Sequence, residues 1–447
     1  MTDNLSHNTT SSPSVANEQG TARKTVCVGR VRWSWLPSLL FGDSMVASVV
    51  VLMMIMLRRF GLDHATATLY VALVCLPFIV RPLIEMVVSH FRGTTKVWIL
   101  SSEFLASLSL WAIAFTLPTS YWLQGTLCFM PFVTMSGVFH SVAVNRFYVE
   151  SPSQVSPWYL LISRMFRCVS LLFGIGAVAM LAGNMEVMTR NVRYSWSVAF
   201  YVMAAVAFFL WLWHSLFLPG GVTPFVGEKD MFGLRPCEYN AVTNAIADGW
   251  RNRMRAYFFL LFVLPEAFLA PVSLLFMIDA PHNGGLGLAP QEFALAQGTI
   301  GIIGIFVGCV LGIKATRLFG LRKTLVPLAL LMSVHSLSFL YLSSCAPLSL
   351  AIVCASIATG SIALGVGIAA YKTALDSYAL LSSGYVMRRA CALALTSVTS
   401  VAVGIVSGIL LSDIGYRQMF ILSTALCAVA AIAATIFSLL KRDNSQL

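Results

Sequence analysis

The sequence contains repeated apolar runs of about 20 residues, the length that a helix needs to cross a bilayer. Of the 447 residues, 58% are apolar and 11% are charged, whereas a soluble domain carries roughly 25% charge. The mean hydropathy is +0.82. These features predict an all-α membrane protein with many spans. They exclude a soluble enzyme, a disordered chain and a β-barrel, whose strands would show alternating segments of about ten residues.

Twelve spans can be placed along the chain. They cover about 34–57, 65–88, 97–117, 121–145, 157–182, 196–218, 256–279, 294–313, 324–344, 348–371, 386–411 and 417–440. A long polar stretch separates the first six from the last six, and two halves of nearly equal length suggest duplication of a six-helix unit. We predict a disordered tail without a signal peptide at 1–32 and two bundles at 33–218 and 256–440. A linker at 219–255 joins the bundles, and a short tail follows at 441–447.

The basic residues predict the orientation. With the N-terminus inside, 21 Lys and Arg residues fall in inner loops and tails and five in outer loops. This bias predicts both termini in the cytoplasm of a multi-pass inner (plasma) membrane protein. It also accounts for the net charge of +11 without a nucleic-acid partner. The adjacent Arg58 and Arg59, in an outer loop, do not follow the pattern.

Other classes of chemistry have no support in the sequence. The ten cysteines include no CxxC pair, and most lie within apolar runs, so we interpret them as packing residues. Phosphate-loop, zinc-protease and serine-hydrolase motifs are absent from the sequence. We therefore expect no metal, no cofactor and no enzymatic activity.

The loop between spans eight and nine carries a short motif. Its candidate residues are Arg317, Gly320, Arg322 and Lys323. They resemble the Gly-x-x-x-Asp-Arg-x-Gly-Arg-Lys loop of the major facilitator superfamily, with one extra residue and without the Asp. Such a loop needs a tight Gly turn and cations at a helix C-terminus. Twelve spans in two halves are also typical of that superfamily, so the resemblance implies two six-helix bundles.

Longer stretches are similar to one branch, the AmpG-type muropeptide permeases and their acetyl-CoA transporter relatives. They are 35–43 with 76–83, then 377–383, and finally Ser407-Gly408 with Gly415-Tyr416 and Phe420. The chain departs from the branch at the end of span four. There the acidic D-G-F-Y element is replaced by a stretch that includes Asn145, Arg146 and Tyr148.

Charged residues inside the spans are the site candidates, because each costs about 2.5–3.5 kcal/mol at the bilayer centre on insertion scales. Six fall on spans that line the central cavity in the resembled fold: Asp43, Arg81, His140, Arg164, Arg167 and Glu266. Three fall on peripheral spans and are expected to be structural: Glu103, His214 and His335. Three Arg residues against two carboxylates favour an anionic substrate, for which Arg offers a bidentate fork.

These candidates divide into three expected roles. The proton-coupling candidates are Asp43, Glu266 and His140. The substrate-binding candidates are Arg164, Arg167, Arg81, Asn145 and Tyr148. The gate or loop candidates are Glu85, Arg317, Gly320, Arg322, Lys323, Lys372 and Asp376. We expect Arg81 to pair with Glu85. We also expect Lys372 to pair with Asp376.

Our leading hypothesis is a monomeric, proton-coupled secondary transporter that moves an anionic amphipathic solute by alternating access. The resemblance suggests a peptidoglycan fragment. Two alternatives remain open. One keeps the fold and changes the cargo to a sugar, peptide, acyl-CoA or drug. The other is a transport-dead membrane sensor, motivated by the acidic residues that span four and loop 8–9 lack.

Overall fold

The computed structural model describes residues 32–90, 94–149, 165–218, 250–345, 349–379 and 385–440. Within these ranges the regular structure is entirely helical. Eleven continuous helical segments are long and apolar enough to cross a membrane, and the last of them comprises two helices joined at Gly415. The predicted all-α membrane fold with twelve spanning helices is confirmed.

We number the spanning helices α1 to α12. In the first half they are α1 Arg32–Arg59, α2 His64–Ser89, α3 Thr95–Thr116, α4 Trp122–Val149, α5 Met165–Thr189 and α6 Val192–Phe217. In the second half they are α7 Met254–Ile278, α8 Pro290–Phe319, α9 Leu321–Cys345, α10 Leu350–Ala379, α11 at 385–414 and α12 at 416–440. We call the end at which α1 begins the near end, and the end at which α1 finishes the far end.

Two helices run further than the hydropathy predicts. Helix α5 continues to Thr189 because Glu186 accepts hydrogen bonds from Arg59 and from the Trp196 indole, at 2.7 Å for the latter. Helix α10 continues to Ala379 and so includes Lys372 and Asp376. In both cases polar turns extend a helix beyond its apolar section, and an apolar window does not register them.

Glycines and polar caps set the turns between helices. Gly320 and Gly415 have φ of 79° and 74°, which an L residue rarely adopts, and each separates two helices with almost no loop. Asp63 and Asn191 begin α2 and α6, where their side chains accept from the backbone N–H groups of Thr66 and Tyr194. The chain therefore reverses direction with few exposed backbone groups.

A basic side chain closes the last helix of each half at the near end. Lys96 Nζ donates to the carbonyls of Ser215 and Leu218 at the end of α6, at 3.1 and 2.6 Å. Arg255 Nη2 donates to the Leu440 carbonyl at the end of α12, at 2.9 Å. Both cations lie at the negative end of a helix dipole, which they stabilise.

The two halves approach most closely in the far-end part of the bundle. Helices α5 and α8 each contain a π-helical section there, and a Cβ on Gly298 would lie 2.3 Å from the Ile175 carbonyl oxygen. Helices α2 and α11 meet where a Cβ on Gly408 would lie 1.7 Å from the Thr68 hydroxyl. Small residues thus permit backbone contact between the halves.

Candidate functional site

An ion pair between Asp43 and Arg167 lies at the centre of the candidate site. Asp43 Oδ2 is 2.7 Å from Arg167 Nη2, and the two side chains are 8% and 32% exposed. They come from α1 and α5, so the fold brings together two residues 124 positions apart in sequence. The part-exposed guanidinium remains accessible to a solute while it holds the buried carboxylate.

Arg81 extends this pair toward the other half. Its Nη2 donates to Ser141 Oγ at 3.0 Å, and Ser141 also hydrogen bonds to Asp43. Arg389 of α11 is close enough for its charge to act on Arg81, although it belongs to the second half. Arg81 precedes Pro82, just after a 3-10 turn that interrupts α2 at Leu76–Phe78. We call Asp43, Arg81, Arg167 and Arg389 the central cluster.

Several donors of the central cluster are unused. The Nε atoms of Arg81, Arg167 and Arg389 are buried and have no hydrogen-bond partner within the described part of the chain. A buried donor without an acceptor costs about 1–3 kcal/mol. The three cationic side chains of the cluster outnumber Asp43 and Asp376, the carboxylates paired with Arg167 and Arg389, so the site stays positively charged. The cluster can therefore bind a carboxylate or a phosphate, to which its guanidinium groups would donate.

The predicted Arg81–Glu85 pair is corrected. Glu85 Oε2 lies 3.2 Å from the Nε of Arg146 on α4, and Arg146 also donates to the Glu85 backbone carbonyl at 3.0 Å. Residues 81 and 85 share one helix face, but the packing of α4 on α2 places Arg146 against Glu85 and directs Arg81 to Ser141. The Glu85 charge still acts on Arg81.

In the second half, Asp376 Oδ1 lies 3.9 Å from Arg389 Nε, which ties the central cluster to α10. The Lys372–Asp376 pair stays a prediction. Glu266 does not join the central cluster through an arginine. Its Oε2 lies 3.7 Å from His335 Nε2, and its side chain is 28% exposed.

A second polar group occupies the interior of the first half. Glu103 Oε1 accepts from His214 Nδ1 at 2.6 Å and from His140 Nε2 at 3.1 Å. All three residues are buried, at 6%, 0% and 4% exposure. We call Glu103, His140 and His214 the triad. The sequence placed Glu103 and His214 on peripheral spans, and no local motif indicated that they would meet His140.

A third polar group joins the two halves at the far end. Arg58 Nε donates to Asp279 Oδ1 at 2.5 Å, and the Tyr416 hydroxyl donates to Asp279 Oδ2 at 2.5 Å. His64 Nε2 also contacts Oδ2. We call Arg58, His64, Asp279 and Tyr416 the far-end clamp. Burial acts to raise the pKa of Asp279, but the hydrogen bonds from His64, Arg58 and Tyr416 outweigh it and hold the pKa at about 2.

The far-end clamp explains the Arg pair that the charge pattern did not. Arg58 bonds to Asp279 in the other half, and Arg59 bonds to Glu186 within its own half. Their position at the far end is therefore supported by specific acidic partners. The clamp could not be predicted from the sequence, because no local motif links Asp279 and Tyr416 to Arg58.

The remaining candidates are placed as follows. Arg317 lies in the last turn of α8, while Arg322 and Lys323 follow Gly320 in the first turn of α9, and all three side chains are exposed. Asn145 is part-buried near the end of α4. Arg164 and the side chain of Tyr148 lie outside the described residues. No three His, Cys, Asp or Glu side chains of the described ranges are grouped to hold a metal ion.

Comparison with known proteins places the fold. No protein-family model and no curated protein matches the chain. The chain is similar to the crystal structure of nucleoside transporter NupG, with a TM-score of 0.65 at 13% identity over 91% of this chain and 99% of that chain. A POT family transporter in complex with 5-aminolevulinic acid gives 0.70 at 13% identity, over 90% and 95%.

The D-xylose-proton symporter gives a TM-score of 0.68 at 13% identity, over 90% of this chain and 96% of that chain. These structures are of transporters rather than enzymes, and their coverage extends over both halves of the chain. The architecture is the twelve-helix major facilitator fold, in agreement with the superfamily resemblance of the sequence.

Proposed function

We propose that this chain, which has the major facilitator fold, is a secondary transporter that moves an anionic amphipathic solute across the inner membrane by alternating access. The observation that carries the proposal is the central cluster, where Arg167 holds Asp43 while Arg81 and Arg389 supply further positive charge. The proposal includes a monomer with both termini in the cytoplasm, as the distribution of basic residues favours.

The central cluster suggests how the solute binds. Arg167 is part-exposed and is ion-paired with Asp43, while the buried Nε atoms of Arg81 and Arg167 donate to no side chain of the described ranges. A solute carboxylate that enters can replace Asp43 as the acceptor of Arg167. Protonation of Asp43 favours this exchange, because a neutral carboxyl binds a guanidinium less tightly. Proton and solute therefore compete for one arginine, which is a basis for coupling.

Glu266 and His140 remain further proton-coupling candidates. Glu266 faces His335 rather than an arginine, so its protonation does not compete directly with the central cluster. Arg164, Asn145 and Tyr148 remain candidates for solute contact, and Glu85 with the loop residues Arg317, Gly320, Arg322 and Lys323 remain candidates for gating.

The proposed cargo is a peptidoglycan fragment, a sugar with a lactyl-peptide, as the AmpG-type resemblance suggests. The test is uptake of a labelled anhydro-muropeptide into proteoliposomes, with and without an inward proton gradient. We expect uptake that the gradient stimulates and that Arg167→Ala abolishes, with Arg193→Ala as the control. Arg193 lies over the Trp122 ring, 5.7 Å from its centroid and away from the cluster.

The alternative is a different cargo carried on the same fold. The similar structures are named for a nucleoside transporter, a POT family transporter with 5-aminolevulinic acid and a D-xylose-proton symporter, so the fold accommodates solutes of several classes. Competition by unlabelled nucleosides, sugars and peptides in the same assay separates these cargoes. If a neutral sugar competes as well as an anion and Arg167→Ala leaves uptake intact, the anionic assignment is wrong.

A further inference from the structure

The triad is a buried acid–base group that the central cluster does not use. It lies between α1, α3, α4 and α6, beside a small, partly open cavity. Glu103, His140, Ser102 and Ser136 supply its polar lining. A carboxylate and two imidazoles in a membrane-embedded bundle carry a high desolvation cost, so their charge state must be nearly balanced.

The hydrogen bonds define that charge state. Ser38 Oγ donates its one hydrogen to the Trp35 carbonyl at 2.9 Å, and it lies 2.8 Å from His214 Nε2. With its hydrogen directed to that carbonyl, Ser38 accepts from His214 Nε2, which then carries a hydrogen. The other ring nitrogen of His214 donates to Glu103. Both nitrogens of His214 are then donors, which describes an imidazolium.

His140 has the opposite state. Its Nε2 donates to Glu103, while its Nδ1 is buried and has no hydrogen-bond partner among the described residues. A second hydrogen at Nδ1 would be an unsatisfied buried donor, so His140 is neutral. The triad then holds one imidazolium, one carboxylate and one neutral imidazole, with no net charge. The second oxygen of Glu103, Oε2, also has no partner and offers a further acceptor.

The triad is adjacent to the central cluster. A Cβ on Gly42 would lie 3.4 Å from His140 Nε2 and 3.6 Å from Glu103 Oε1, so the triad contacts α1 one residue before Asp43. His140 lies close enough to Asp43 for a proton on its ring to act on that carboxylate, which Arg167 and Arg81 also face. At the near end of α6, Lys96 donates to the carbonyls of Ser215 and Leu218, which follow His214.

We propose that the triad, with its proton on His214, is the site that stores the coupling proton; this rests on the proposed function. Transfer of that proton to Asp43 conserves charge, because the triad changes from neutral to −1 while Asp43 changes from −1 to neutral. Arg167 then loses its anionic partner and is released to bind the anionic solute. Glu103 and His214 would thus be coupling residues and not only packing residues.

A direct titration tests this without any solute. The chain has seven histidines, so 15N-histidine spectra of the full protein in lipid nanodiscs can be assigned with His140→Asn and His214→Asn variants. We expect the wild-type spectra to show both ring hydrogens on His214 and one on His140. Glu103→Gln should abolish the doubly protonated form, and Glu103→Asp should retain it.

The control is Glu292→Gln, which changes a carboxylate at the start of α8 that accepts from the Ala289 backbone N–H, and it should leave His140 and His214 unchanged. If His214 keeps a single ring hydrogen from pH 5 to 8 in folded wild-type protein, the triad does not store a proton and the proposal is overturned. If His214 carries both ring hydrogens as expected, the proposal stands even if the muropeptide is not the cargo. A failure of uptake in the liposome assay bears on the proposed function alone.

Discussion

Arg58 at the end of α1 and Asp279 at the end of α7 are joined by an Nε–Oδ1 contact of 2.5 Å that connects the two halves. Asp279 is 1% exposed at its side chain, and His64 and Tyr416 bond to its other oxygen. Three side chains from three helices thus converge on one carboxylate. The far end of the bundle is held closed in this conformation, with the Arg58 side chain 18% exposed at its rim.

We expect Arg58→Ala to open the far end. Removing the partner of a buried carboxylate costs about 1.5–3 kcal/mol for a charged hydrogen bond, which corresponds to roughly a tenfold to hundredfold loss of the closed population. Spin labels at the exposed positions Tyr121 and His282, in a background without native cysteines, report the distance between halves. The matched control is Arg59→Ala, which removes a pair inside one half. Equal distances in Arg58→Ala and wild type would contradict the clamp.

The pH dependence of the clamp follows from Asp279. Its pKa is lowered from 3.8 to about 2, so the carboxylate favours the closed state above pH 3.8, and this contribution is lost as pH falls through about 2. We therefore expect Asp279 to contribute no change in the spin-label distance between pH 7 and 5, and a shift toward the open distance near pH 2. Asp279→Asn should open the far end at every pH. If the wild type opened near pH 6 and Asp279→Asn abolished that transition, this assignment would be wrong.

The contact between α5 and α8 predicts a large effect of one methyl group. In Gly298→Ala the added Cβ would lie 2.3 Å from the Ile175 carbonyl oxygen. Because that oxygen belongs to the backbone of α5, relieving the overlap requires the helix itself to move. We expect a lower melting temperature and a longer far-end distance, because the halves must separate to admit the methyl. Gly404→Ala is the control, since nothing lies within 4 Å of its Cβ, and it should be neutral or stabilise by about 0.5–1 kcal/mol. Equal melting temperatures in the two variants would show that the contact is not rigid.

The central cluster predicts different effects for its two charges. Arg167→Ala should weaken binding of the anionic solute by about tenfold or more, the value of one charged hydrogen bond. Asp43→Asn leaves Arg167 without its anionic partner, so binding should strengthen while stimulation by a proton gradient is lost. Solute affinity is measured by scintillation proximity and coupling by uptake. Weaker binding in Asp43→Asn than in Arg167→Ala would reverse the proposed roles.

The double variant Asp43→Asn with Arg167→Gln provides a further check. It removes both charges of the pair and should fold better than Arg167→Gln alone, because a single variant leaves a buried charge unpaired. Melting temperatures of the three variants in nanodiscs measure this coupling. Additive losses would indicate that Asp43 and Arg167 do not depend on each other.

The proposed site could be predicted only in part. Asp43, Arg81 and Arg167 stand out in the sequence because ionisable residues inside an apolar span are costly and rare. The sequence did not show which of them pair with each other. Hydropathy cannot show that Arg146 rather than Arg81 pairs with Glu85, because that choice depends on how α4 packs against α2. Glu103 and His214 were expected to be structural because their spans are peripheral in the resembled fold.

The sequence by itself determined the membrane class, the twelve helices and their division into six and six. Each of these follows from local quantities, namely the length of an apolar run and the need to satisfy every backbone group within lipid. The turns at Gly320 and Gly415 are similarly local, since few other residues adopt their φ. The resemblance to a transporter superfamily rested on the same pattern.

Only the tertiary structure decided which charges meet. Asp43 with Arg167, Arg58 with Asp279 and Glu103 with two histidines join residues that lie from 37 to 221 positions apart. Within one helix, the spacing of 3.6 residues per turn fixes which side chains share a face. Between helices, rotation, depth and tilt are set by packing of small residues such as Gly298 and Gly408, and these contacts have no local signature.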